Sequence, residues 1–125
     1  RTLLGRARPL RALQLQLPRR EAAAVGAQNL GRALRAASNS PVQGSAADVA
    51  IAAMLRLQGS ALLRDLGYRQ LLQVHDELLL EGPEEHAERA LAEVVRLMED
   101  PLPFSLRVPL KVDACHVQNW HEAKL

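Results

Sequence analysis

Aromatic residues are nearly absent from this sequence, which contains one Phe, one Trp and one Tyr among 125 residues. A core without aromatic side chains must be built from Leu, Val and Ala, and because 48% of the residues are hydrophobic the sequence can supply one. This composition predicts a folded domain rather than a disordered chain. It argues against a single-strand-binding protein that stacks bases on aromatic side chains.

Cysteines and long apolar runs are also scarce. The single cysteine, Cys115, excludes an internal disulfide and a cysteine-based zinc cluster. No run of 18 or more apolar residues exists, so we predict no membrane-spanning helix and no membrane partner. The sequence begins with Arg1 instead of a methionine, and we expect it to be part of a longer protein.

Charge is distributed unevenly along the chain. Residues 1–40 contain eight arginines and one acid, whereas residues 41–125 contain eight basic and thirteen acidic residues. The basic N-terminal part is typical of a segment that contacts phosphate. A solvated basic arm without a ligand is an equal alternative on charge alone.

The first half of the chain predicts two helices separated by a turn. Residues 1–20 show no helical period and contain two prolines, whereas residues 21–37 are rich in Ala, Leu and Arg. The residue before Pro41 should avoid helical geometry, so we expect a turn at residues 38–41. Ser45 and Asp48 then form a capping box that opens a second helix, which ends near Gly59. Because residues 46–57 are apolar on nearly every face, we expect this helix to be buried on more than one side.

The second half of the chain predicts a β-hairpin, a helix and a strand. Residues 70–74 and 78–80 are short apolar runs that flank three polar residues, His75, Asp76 and Glu77. A helix with one apolar stripe follows Pro83. Residues 104–114 alternate apolar and polar side chains, and Pro109 suggests an edge strand. The fold class is therefore α+β, with a small antiparallel sheet of hairpin plus edge strand backed by helices.

The hairpin tip carries the residues best suited to chemistry. Two neighbouring carboxylates at a turn can face one cavity, and magnesium binds one or two protein carboxylates together with substrate phosphates. A polar hairpin tip that faces water is the alternative, and turns are commonly polar.

Two motifs in the expected order resemble the C-terminal palm of family A DNA polymerases. They are Asn-Ser-Pro-Val-Gln-Gly-Ser-Ala-Ala-Asp at residues 39–48 and Leu-Gln-Val-His-Asp-Glu at residues 72–77. The Thr-Leu-Leu-Gly-Arg segment at residues 2–6 is similar to the family's segment after the fingers, and residues 120–124 are similar to its C-terminal ending. Details of residues 46–50 and 119–120 most resemble the plant and algal organellar branch, which implies a plastid or mitochondrial location.

The resemblance implies a role for each matching residue. Asp76 matches the aspartate that binds catalytic Mg²⁺ in a two-metal mechanism, Glu77 supports that metal site, and His75 lies beside the primer 3′ terminus. Contacts to primer–template DNA are implied for five further residues: Arg35, Asn39, Gln43, Arg6 and Arg8. Each also has an ordinary alternative, such as a turn residue, a loop amide or an exposed helix arginine. Deoxynucleoside triphosphates are the implied substrates of the complete enzyme.

The resemblance divides the chain at residue 38. Residues 1–38 correspond to the basic arm and the Ala/Arg-rich helix at the end of the fingers–palm connection, and residues 39–125 correspond to the C-terminal palm. The other essential aspartate and the nucleotide-binding fingers helix have no counterpart, so we expect the isolated chain to lack polymerase activity. Two alternatives remain: a non-catalytic nucleic-acid-binding module that uses the basic arm, and a small metal-dependent phosphodiesterase.

Overall fold

The computed structural model describes residues 1–8 and 27–122, with side chains from residue 31 onward in the second range. The elements are α1 (Ala27–Gly59), α2 (Ala61–Asp65), β1 (Arg69–Val74), β2 (Glu77–Glu81), a 3-10 helix (Glu84–His86) and α3 (Ala87–Glu99). Strands β1 and β2 form a two-stranded antiparallel sheet, which confirms the predicted α+β class. The chain divides into two compact units, Arg1–Asp48 and Val49–Leu125. Most of the predicted irregular segment, and the first residues of the first predicted helix, lie outside the described residues.

Helix α1 is continuous where the sequence predicts a turn, so the predicted break at residues 38–41 is wrong. Pro41 lies inside the helix. Proline removes one backbone donor, and helical geometry continues on both sides of it. The hydroxyls of Ser38 and Ser40 donate to the carbonyls of Leu34 and Ala36, four residues back, a pattern typical of serines within a helix.

The predicted capping box is also wrong, because Ser45 and Asp48 lie in the middle of α1. Their side chains accept hydrogen bonds from the N-terminal segment (residues 1–8), at the backbone N–H groups of Leu3 and Leu4. A carboxylate and a hydroxyl inside a helix are free to bind another segment because the helix already satisfies the neighbouring backbone groups.

The hydrophobic core cluster of the described residues belongs to the second unit. It consists of Leu57, Leu63, Leu66, Ala90, Val94 and Leu97, with Tyr68, Leu78, Leu80 and Met98 packed against it. The apolar stripe predicted on the helix after Pro83 is confirmed, since Ala87, Ala90 and Val94 are buried on α3. Helix α1 ends at Gly59 as predicted. Ser60 then caps the short helix α2 by accepting a hydrogen bond from the Leu63 N–H.

The apolar part of α1 is buried on one side only within the described residues. Ala53 and Leu57 are buried, whereas Ile51 and Leu55 are 51% and 63% exposed. The expectation that this stretch is buried on more than one side is therefore not met by the described chain. No described helix is both long enough and apolar enough to cross a membrane.

The predicted edge strand at residues 104–114 does not form. In the described part of the chain these residues belong to no strand, and the sheet contains β1 and β2 alone. Alternation predicts a strand only where a neighbouring strand supplies backbone hydrogen bonds. Pro109 lacks the N–H that such a ladder needs, and Phe104 and Val108 are exposed instead of packed.

Candidate metal and nucleic-acid sites

The turn between β1 and β2, in the second unit, is shorter than the sequence indicated. Val74 pairs with Glu77 in the antiparallel register, so the turn consists of His75 and Asp76, and Glu77 begins β2. Two-residue turns are the tightest hairpin connections and hold their side chains in a fixed relation to the strands. The hairpin thus keeps the three predicted site residues together at one end of the sheet.

His75 adopts a backbone conformation that L-residues rarely occupy. Its φ is 55°, the one positive φ among the described non-glycine residues. Left-handed geometry costs a non-glycine residue about 1–2 kcal/mol. The side-chain amide of Gln73 donates a hydrogen bond to the His75 carbonyl and so helps to hold this conformation.

Asp76 and Glu77 are both exposed, and neither carboxylate forms a hydrogen bond or ion pair with a described residue. Among the described residues, no group of three or more His, Cys, Asp or Glu side chains is arranged to hold a metal ion. Two hard carboxylate ligands nevertheless fit magnesium, which retains several waters and takes its remaining ligands from substrate phosphates. The hairpin tip therefore suits a partial, open magnesium site.

In the first unit, three predicted DNA-contacting residues share one face of α1. Arg35, Asn39 and Gln43 are spaced four residues apart, a spacing that places side chains along one side of a helix. All three are exposed, and none forms a hydrogen bond with a described residue. This polar face of α1 exists because the helix continues through Pro41.

The two predicted arginines of the N-terminal segment have different environments. The Arg6 guanidinium contacts Asp48 through Nε and donates from Nη2 to the Gly44 carbonyl at 2.9 Å. Arg8 donates from Nη1 to the Ser40 hydroxyl at 3.1 Å. With Arg1, these two arginines line a cavity of about 80 Å³ whose wall includes Ala37, Ser40 and Pro41.

Asp48 is the buried charged residue of the described chain, with 3% of its surface exposed. A hydrogen bond from the Thr2 side chain, together with those from the Leu4 N–H and Arg6, outweighs desolvation and lowers the pKa of its carboxyl. Sequence reasoning assigned this residue to helix capping. One feature of the sequence could have indicated the ion pair with Arg6: Asp48 is a lone carboxylate in an otherwise apolar helical run that follows a basic segment.

Comparisons with known proteins agree on one family. A family-wide sequence model, described as DNA polymerase family A, matches residues 1–122. The chain is 49% identical over 125 residues to "DNA polymerase I A, chloroplastic" from Oryza sativa subsp. japonica, covering 98% of this chain and 11% of that protein. It is 48% identical over 90 residues to DNA polymerase I of Bacillus caldotenax, covering 72% of this chain and 10% of that protein.

A solved structure shares both the fold and the sequence. It is the POL domain of Pol1 from M. smegmatis in complex with DNA primer–template and dNTP, at 38% identity and a TM-score of 0.72, covering 88% of this chain and 18% of that one. The chain thus spans about a tenth of the length of the curated relatives it matches. With a family match along nearly its entire length, the chain belongs to DNA polymerase family A.

Proposed function

We propose that this chain is the C-terminal palm portion of a DNA-directed DNA polymerase, which carries out template-directed nucleotidyl transfer in DNA replication and repair. Its partners are primer–template DNA and, in the complete enzyme, deoxynucleoside triphosphates. Residues 1–38 form the end of the fingers–palm connection, and residues 39–125 belong to the palm. Because several relatives are named chloroplastic or mitochondrial, we assign the parent protein to a plastid or a mitochondrion.

The strongest support for the proposal is the similarity to a polymerase domain that was solved with primer–template and dNTP, which extends over 88% of this chain. The polar face of α1 adds physical support. Asn39 and Gln43 present amides that can bond to minor-groove acceptors, which are nearly the same for every correct base pair. Such contacts detect the shape of a pair without reading its sequence, as a copying enzyme requires.

The hairpin tip is the proposed metal site. Asp76 would hold Mg²⁺ directly, Glu77 would support the site, and the His75 side chain would lie beside the primer 3′ terminus. Held there, magnesium would act as a Lewis acid that makes the primer 3′-hydroxyl more acidic and offsets charge on the pyrophosphate leaving group. The short turn contributes by fixing the Asp76 backbone relative to both strands.

The proposal is tested by comparing two labelled DNA ligands, a recessed primer–template and a blunt duplex of equal length, by fluorescence anisotropy. We expect the chain to prefer the recessed end. The double variant Asn39→Ala/Gln43→Ala should lose about tenfold in affinity for it, as expected for lost amide–base contacts. Gln58→Ala serves as the matched control, because Gln58 is an exposed amide elsewhere on α1.

A second candidate function, a nucleic-acid-binding module, rests on the three arginines around the cavity in the first unit. Equal affinity for both DNA ligands, with steep salt dependence and no effect of the double variant, would support that module and contradict the palm assignment.

A further inference from the structure

The N-terminal segment forms hydrogen bonds with α1 at three successive turns of the helix. Arg8 bonds to Ser40, Arg6 to the Gly44 carbonyl, and Arg6 to Asp48. The backbone N–H of Leu3 adds a bond of 2.8 Å to the Ser45 hydroxyl, and that of Leu4 adds one of 3.3 Å to Asp48. Residues spaced by four share a helical face, so the segment follows one side of α1.

Close packing supports the same arrangement. A Cβ atom added at Gly44 would overlap the methyl group of Thr2, so glycine permits the segment to approach the helix closely. The segment itself turns at Gly5, whose φ is 85° and whose N–H donates to the Thr2 carbonyl at 2.9 Å.

The attached segment borders the polar face of α1. Ser40, the partner of Arg8, is the next residue after Asn39, and successive helix residues are separated by about 100° around the axis. Arg8 therefore lies at the edge of the face that carries Arg35, Asn39 and Gln43. Arg6 lies further along the helix, where its guanidinium is occupied by Asp48 and Gly44.

We propose that Arg6 and Asp48 are positioning residues for DNA binding: their ion pair holds the N-terminal segment on α1 so that Arg8 contacts a DNA phosphate next to the polar face. This inference rests on the proposed function and refines it. It assigns Arg6 an indirect role in place of direct phosphate contact. It also means that Asp48, although negatively charged, favours the binding of negatively charged DNA.

The decisive test uses the sign of the effect of Asp48→Asn on DNA affinity. Simple electrostatics predicts tighter binding when a negative charge is removed. Positioning predicts weaker binding, by about fivefold, within the range of coupling between neighbouring residues. The slope of log affinity against log salt concentration should also fall, by the equivalent of about one phosphate contact, and the same decrease is expected in Arg8→Ala. Asp65→Asn is the matched control, since Asp65 is an exposed acid in the second unit and its loss should leave binding equal or slightly tighter.

Two further variants separate positioning from charge. Gly44→Ala changes no charge and favours helix, yet it should weaken DNA binding because it displaces Thr2. The double variant Asp48→Asn/Arg8→Ala should bind no more weakly than Arg8→Ala alone. Amide hydrogen exchange of Leu3 and Leu4, measured without DNA, should accelerate in Asp48→Asn and in Gly44→Ala.

The outcomes are distinguishable. Asp48→Asn binding that equals or exceeds the wild type, as in Asp65→Asn, overturns the positioning role and leaves the polymerase assignment intact. A wild-type chain that binds neither DNA ligand overturns both. Additive losses in the double variant assign Arg8 a contact that does not depend on the pair, and so also overturn the inference.

Discussion

The role proposed for Asp76 depends on the turn that holds this residue. Its neighbour His75 has a φ of 55°, and this strained geometry persists although glycine would adopt it more easily. Strain of this kind is found where a side chain must be held in a particular place. The sequence identified the three polar residues of the tip, but it did not reveal that Glu77 pairs with Val74, because register depends on the geometry of the turn.

The metal-binding role proposed for Asp76 predicts a local response to a paramagnetic ion. Mn²⁺ prefers the same oxygen ligands as Mg²⁺. It should broaden the amide NMR signals of His75, Asp76 and Glu77, and excess Mg²⁺ should restore them. Asp76→Asn should abolish the broadening and Glu77→Gln should reduce it, whereas Asp113→Asn, which changes an exposed acid outside the hairpin, should leave it unchanged. Equal broadening in wild type and Asp76→Asn would refute the assignment.

At the scale of elements, patterns that a local segment satisfies by itself were predicted correctly. The stripe on α3, the hairpin and the end of α1 at Gly59 each depend on neighbours within a few residues. The wrong predictions concern features that depend on residues far away in the sequence. The edge strand needed a partner strand, and the hydrogen bonds of Asp48 needed an N-terminal segment more than forty residues away. The turn expected before Pro41 failed because a backbone preference yielded to the surrounding helix.

Hydrogen bonds to Glu93 connect α2 with α3 and predict a pH-dependent stability. Arg96 donates two hydrogen bonds of 2.8 Å to this carboxylate, and Ser60, the cap of α2, donates a third at 3.2 Å. These bonds, led by those from Arg96, outweigh desolvation and lower the pKa of Glu93 below its usual value of 4.5.

A lowered pKa fixes the direction of the pH effect. Glu93 contributes stability fully above pH 4.5, and that contribution is lost as the pH falls from there through the lower folded-state pKa. Urea unfolding monitored by circular dichroism should therefore show that Glu93→Gln lowers the free energy of unfolding at pH 7. It should also reduce the loss of stability below pH 4.5, which is the acid limb of the stability curve. Asp113→Asn should retain the acid limb of the wild type. An unchanged limb in Glu93→Gln would show that the carboxylate is not ionised more readily in the folded state.

At the scale of the whole molecule, the chain contains two compact units with different contents. The first carries the polar face of α1 and the attached basic segment, and the second carries the hydrophobic core and the hairpin tip. The proposed function divides in the same way, because the proposed DNA contacts lie in the first unit and the proposed magnesium ligands lie in the second.

The carboxylates of the described residues predict that the chain alone has no polymerase activity. Two-metal phosphoryl transfer needs ligands that bring two ions close together. The hairpin tip supplies Asp76 and Glu77, and no described group of three or more potential ligands exists to complete such a site. We expect the purified 125-residue chain, incubated with primer–template, deoxynucleoside triphosphates and Mg²⁺, to extend no primer while still binding the recessed end. Template-dependent extension that Asp76→Asn abolishes would contradict this, because it would mean that these two carboxylates suffice to assemble the catalytic centre.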